Sequence, residues 1–196
     1  KDSFQLLNEL RAEYKAPKNK LLSLERQHKL FKVTRGLYET DESTSPLLLS
    51  SAIYGPSYIS FETALSFWEL IPEKTTAITS ATFGKNKTKQ FKTQFGLFLY
   101  RDVPGQVFPY EVYVKNKENR FFLIAGKEKA LCDILYRESP LNSEKQLCAF
   151  FFENLRIEKS DFEALNFQTI FDLCDLYKSS NLKVLKKYTK KIEGLL

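Results

Sequence analysis

Apolar residues change their spacing twice along this chain, and that alternation limits the folds open to it. Phe4, Leu7, Leu10 and Tyr14 recur at helical intervals, and Leu21, Leu22, Leu24 and His28 do so again. Pro17, between the two runs, breaks the chain or opens the second helix as a first-turn residue. Residues 30–40 read as two short strands meeting near Gly36. The stretch 41–46 is polar and turn-rich. A helix starting at Pro46 is expected next, then one capped by Ser60 that carries Ala64, Leu65, Phe67 and Trp68. The period then drops to two. Residues 75–80, 88–94, 96–101, 112–117 and 120–125 read as strands, which predicts an antiparallel meander. From residue 127 the helical period returns. Its stripes are Ala130/Leu131/Ile134/Leu135, Leu147/Phe150/Phe151/Leu155, Ile170/Leu173/Cys174/Tyr177 and Leu182/Leu185/Tyr188/Ile192/Leu195.

The expected class is therefore α+β. Two helices followed by a hairpin, over 1–42, have the outline of a shortened winged helix. A central mixed helix and antiparallel-sheet domain with a helical C-terminal region would occupy 43–196. Apolar residues make up 43% of the 196 and charged residues 28%, so a packed core is expected and wholesale disorder is not. The longest apolar runs, such as residues 121–125, are far shorter than the roughly 20 residues of a bilayer span, so no membrane partner is expected. The chain opens on a helical pattern and not on a signal peptide, which points to the cytoplasm. Cys132, Cys148 and Cys174 are odd in number, far apart and set in apolar helical surroundings, as reduced core thiols are.

Catalytic chemistry has little to stand on. His28 is the one histidine and has no evident Ser or Cys partner. The seven glycines are scattered, so no phosphate loop exists. Glu128 and Asp133 stand five apart without a second acidic cluster for acid–base work or Mg²⁺. The chain is expected not to be an enzyme and to need neither metal nor cofactor.

Charge is more informative. The net charge is +6, which permits a nucleic-acid partner without requiring one. Residues 1–40 hold nine basic and five acidic residues. Lys18, Lys20, Arg26 and Lys29 would line the second helix, and Lys32 and Arg35 the hairpin, as phosphate contacts of a DNA-binding module. The competing reading is an ordinary solvated face. From Lys74 to Arg101 there are six basic residues and no acidic one. Lys85, Lys87 and Lys89 would share one face of a strand, either as a partner-facing surface or as a lysine-blunted edge. The last helix adds Lys183, Lys187 and Lys190 to Lys186 and Lys191, a second candidate basic surface.

Several segments are familiar in combination. They are Arg35-Gly36-Leu37-Tyr38, the run from Gly55-Pro56-Ser57-Tyr58 to Ala64-Leu65, Leu70-Ile71-Pro72-Glu73, Thr79-Ser80-Ala81-Thr82, and Ala125-Gly126-Lys127-Glu128-Lys129-Ala130-Leu131-Cys132-Asp133. In this order and spacing, over roughly residues 18–136, the chain resembles the AbiEi family. These are the antitoxins of abortive-infection type IV toxin–antitoxin systems. The resemblance implies an N-terminal winged helix that binds operator DNA, as inverted repeats upstream of its own operon, and represses transcription. It also implies a larger domain that counteracts an AbiEii-type nucleotidyltransferase toxin, without needing a stable complex, in defence against phage. Only two helices precede the hairpin here where a full helix-turn-helix has three, so the module reads as truncated or degenerate. The alternative function is a protein-binding module of the same fold that has lost DNA recognition.

Overall fold

The structure is a computed structural model that describes residues 2–195, so Lys1, one of the nine N-terminal basic residues, lies outside it. Helix α1 (Ser3–Arg11) starts where Asp2 Oδ1 accepts from the Gln5 N–H at 2.8 Å, satisfying one of the free donors of the first turn. Helix α2 (Pro17–Arg26) opens on Pro17, whose fixed φ suits a first turn. Strands β1 (Phe31–Thr34) and β2 (Leu37–Glu39) form the expected hairpin, with Gly36 at φ 83° in its turn. Any side chain there would be strained. The helical stripes are narrower than the spacing predicts. Leu6, Leu21, Leu30 and Tyr38 form a small core, with Leu10 and Leu24 against it. Phe4 is 71% exposed, Leu22 faces solvent, and Tyr14 and His28 lie beyond the helix ends and are exposed. Two short helices over one hairpin have little surface to cover, so only one side of each is drawn inward.

The hairpin has a second face. Phe31 and Val33 join Leu49, Phe95, Phe98 and Tyr100 in a separate apolar cluster on the main sheet. Gln94 Nε2 donates to the Lys32 carbonyl at 3.3 Å, and Arg120 meets Glu39 at 2.7 Å. The hairpin is thus held between its own helices and the body of the protein.

That body is built on β3 (Ser57–Ile59), β4 (Ala77–Thr82), β5 (Lys89–Thr93), β6 (Gly96–Asp102), β7 (Val112–Lys117) and β8 (Arg120–Ala125). All five expected strands form, but not as an antiparallel meander. The order is β5-β6-β4-β3-β8-β7. The hairpins β5/β6 and β7/β8 are antiparallel, as is β3/β4, whereas β4/β6 and β3/β8 are parallel. The sheet is therefore mixed. Its unforeseen member, β3, is three buried residues after Gly55-Pro56, too short for an alternation to show, yet it joins the two halves.

In place of one helix from Pro46 there is a 3₁₀ turn (Pro46–Leu48) and a short α3 (Ser50–Ile53). Helix α4 (Phe61–Phe67) follows β3. The C-terminal region is helical, as expected. It comprises α5 (Lys127–Arg137), α6 (Glu144–Cys148) running into a π turn (Ala149–Asn154), α7 (Lys159–Glu163), α8 (Phe167–Tyr177) and α9 (Ser180–Ile192). Helix α5 is the hub, touching α4, β8, α8 and α9. The predicted stripes of α5, α6, α8 and α9 supply a large part of the main core, with Leu155 and Tyr188 half-buried at its border and Ile192 and Leu195 exposed. The three cysteines are free thiols, two buried and one half-buried. Among the described residues no helix is long and apolar enough to cross a membrane.

Candidate nucleic-acid interface

The six basic residues expected to meet phosphate all lie on α2, just after it, or on the hairpin. On α2, Lys18 and Arg26 are about two turns apart and share an exposed face with Leu22. Lys20 falls on the other side, half-buried, with its ammonium 4.6 Å from the centre of the Tyr14 ring. It does not join the set. Lys29 is exposed just past the helix, where its N–H closes the last turn on Leu24 O at 3.0 Å. Lys32 alternates outward between buried Phe31 and Val33, and Arg35 is exposed in the hairpin turn. Among the described residues none of Lys18, Arg26, Lys29, Lys32 and Arg35 is in an ion pair, so each charge is available to an anion.

The second lysine set is broken up. Strand β5 begins only at Lys89. Upstream, the N–H groups of Lys85 and Asn86 both donate to Asp102 Oδ2, at 2.9 and 2.7 Å, which curls this segment into a turn with Asn86 at φ 52°. Lys85 is half-buried with its ammonium 5.3 Å from the Tyr54 ring centre, while Lys87 and Lys89 are exposed. The three lysines therefore do not line one strand face, because the carboxylate of Asp102 takes the backbone donors that would have extended the strand. On α9, Lys183, Lys187 and Lys190 do share a face, opposite buried Leu182, Leu185 and Thr189. Their neighbours are paired instead, Lys186 with Asp175 at 2.5 Å and Lys191 with Glu144 at 3.1 Å.

The largest concentration of polar chemistry lies inside the protein. Asp133, fully buried on α5, accepts from Tyr58 (2.9 Å) and Ser60 (2.6 Å) on Oδ2, and from Lys129 (3.0 Å) and Tyr177 on Oδ1. Lys129, also fully buried, donates to the Tyr177 hydroxyl at 2.5 Å and sits 4.7 Å from that ring's centre. Burial, reinforced by the Asp133 charge, pushes both tyrosine hydroxyls well above their ordinary pKa. Cys132, beside this cluster and hydrogen-bonded to the Cys174 thiol, is likewise pushed up by burial, which makes it a poor nucleophile. All five side chains of the cluster are buried, and their bonds tie α5, α8 and the β3–α4 corner together. Ser60 belongs to this cluster and does not cap α4, contrary to expectation. The cap comes from Thr79 on β4, whose Oγ1 accepts from the Thr63 N–H at 3.0 Å.

The spacing of Lys129 and Asp133, four apart within an otherwise apolar stripe, was the legible trace of this cluster. Its other members come from distant segments. Glu128 accepts from the Asn166 N–H at 2.9 Å and so ties α5 to the start of α8. Among the described residues no group of three His, Cys, Asp or Glu is placed to hold a metal ion. No protein-family model matches the chain, and no curated protein matches its sequence.

Proposed function

We propose that this protein is an antitoxin and transcriptional autoregulator of the AbiEi kind, which binds operator DNA and counteracts a nucleotidyltransferase toxin. The observation that carries the DNA-binding half is the set Lys18, Arg26, Lys29, Lys32 and Arg35, exposed and free of ion pairs on a helix and its adjoining hairpin. A helix laid in the major groove with a hairpin beside it places such cations on phosphate. Leu22, exposed between Lys18 and Arg26, supplies an apolar surface of the kind that meets a thymine methyl. The antitoxin half rests on the order of sequence motifs over residues 18–136.

Two experiments test the halves separately. In a mobility-shift titration on its own upstream DNA, replacing Lys18, Arg26 and Arg35 by Ala should weaken binding to every sequence. It should also flatten the slope of log affinity against log salt by about three. Lys20→Ala should leave the slope alone. An unaltered slope in the triple variant overturns the DNA reading. In co-expression with the neighbouring toxin gene, surviving cells are counted, and absence of rescue overturns the antitoxin reading.

The protein-binding alternative draws on a different observation. Val114, Phe121 and Leu123 are exposed on one face of β7 and β8, at the open edge of the sheet. A stable pull-down partner with no DNA shift at low salt favours it.

A further inference from the structure

The Glu62 carboxylate is only half satisfied. Its Oε1 accepts from Arg101 Nη1 at 2.8 Å, whereas Oε2 is buried without a partner. The only other buried side-chain polar atom in that state, among the described residues, is Ser57 Oγ. A buried carboxylate oxygen that finds no donor is costly and calls for an explanation. Arg101 is similarly under-used. A guanidinium has five N–H groups, and this one makes a single hydrogen bond among the described residues while lying 4.9 Å from the Phe61 ring centre. Phe61 itself is fully buried at φ 56°, a conformation unfavourable for a bulky residue, and it precedes Glu62 directly. The pair thus offers a free acceptor and free donors side by side.

Two cavities meet at this pair. One, of about 400 Å³, is walled by the apolar side chains of Ile71, Leu99 and Leu155 and also includes Lys74. The other, of about 350 Å³, continues past Glu62 and Arg101 to Arg137. Neither Lys74 nor Arg137 is in an ion pair among the described residues. The run from Lys74 to Arg101 supplies much of the first wall, where Glu73 is also present but paired with Arg156, and Glu138 stands beside Arg137 in the second.

We propose that this cleft is a nucleobase-binding site. An N–H at the edge of the base would donate to Glu62 Oε2. The neighbouring ring nitrogen or carbonyl would accept from Arg101. Ile71, Leu99 and Leu155 would cover the ring, and Lys74 would meet a 5′-phosphate. An edge with adjacent donor and acceptor is common to all four bases, and the cavity falls within the usual range for a small ligand. A carboxamide has the same edge but no ring to fill the apolar walls. The site is separate from α2 and the hairpin, so it stands whether or not they bind DNA.

The test is a titration of the full chain with the four ribonucleosides and their 5′-monophosphates, by calorimetry and ligand-detected NMR. At least one nucleoside should bind at millimolar concentration or below. Glu62→Gln should weaken it about tenfold, the loss of a charge-assisted hydrogen bond. Lys74→Ala should leave the nucleoside unchanged and weaken only the monophosphate. Lys89→Ala, on β5 and outside the lining of both cavities, is the control, and the thermal midpoint of each variant verifies folding. The proposal is overturned by no binding of any nucleoside or nucleotide, by full binding in a folded Glu62→Gln variant, or by equal binding of N-acetylglutamine amide.

Discussion

Asp133 takes four donors on two oxygens, which is about the capacity of a carboxylate. That saturation leaves neither carboxylate oxygen without a donor in a site with no exposure at all. Removing the carboxylate alone leaves the buried ammonium with the Tyr177 hydroxyl as its one hydrogen-bond partner among the described residues. Asp133→Ala should therefore cost about 3–5 kcal/mol in a urea titration. Adding Lys129→Met should restore much of the loss, since two apolar groups can replace a buried pair nearly neutrally. A double variant as unstable as the single would mean that the pair is not what matters. The tyrosines set an alkaline limit by the same logic. Tyr58 and Tyr177 have folded-state pKa values raised above the unfolded value of about 10, so their contribution is fully present below that pH and is lost above it. Tyr188, pushed up to about 12, chiefly by burial, acts in the same direction. Urea midpoints measured from pH 8 upward should hold until roughly pH 10 and then fall, with tyrosinate absorbance rising as the protein unfolds. A midpoint unchanged well above that pH would show that these hydroxyls ionise without unfolding the chain.

Elements are secured by residues far from them in sequence, and α4 is the clearest case. Thr79 Oγ1 accepts from the Thr63 N–H and donates to the Ser60 carbonyl at 2.7 Å. Thr63 Oγ1 accepts from the Thr79 N–H at 2.8 Å and donates to the Ala77 carbonyl at 2.9 Å. Thr79→Val should thus cost about 1–2 kcal/mol, the range of a lost N-cap. Combined with Thr63→Val, the loss should be less than the sum, because the two share bonds. Strict additivity in denaturant titrations would contradict the shared arrangement. The same example marks what the sequence can disclose. Ser60 is a sound local choice for a cap, and only the fold brings Thr79 there and turns Ser60 toward Asp133. Long periodic stripes such as Ala130 to Leu135 were legible because burial repeats with the helix. Strand order was not, since β3 is three residues long and its neighbours β4 and β8 carry no local mark of adjacency. Lys85 and Lys87 alternate like strand residues, yet Asp102, well downstream, turns that segment aside. Glu62 and Arg101, 39 residues apart, gave no sign of meeting.

At the scale of the molecule, the hairpin decides how the N-terminal region can be studied. Its helices enclose Leu30 and Tyr38 from one side, and Phe31 and Val33 rest on Phe95, Phe98 and Tyr100 from the other. Cutting away residues 1–42 would leave those three aromatic rings uncovered. Loss of the buried Phe31 and Val33 alone removes about 3–6 kcal/mol of apolar burial, set against a total stability of about 5–15 kcal/mol. The truncated chain should therefore have a lowered thermal midpoint and a tendency to aggregate. Failure of such a truncation to rescue cells would say nothing about toxin neutralisation. Substituting the exposed cations in place avoids the difficulty. The Lys18, Arg26 and Arg35 triple alanine variant should keep its midpoint within about 1 kcal/mol equivalent of the parent, as exposed unpaired side chains do. Tested beside the truncation in the survival assay, it separates repression from neutralisation. A large drop in the midpoint of the triple variant would show instead that these residues help hold the hairpin, and would remove them from the DNA-contacting set.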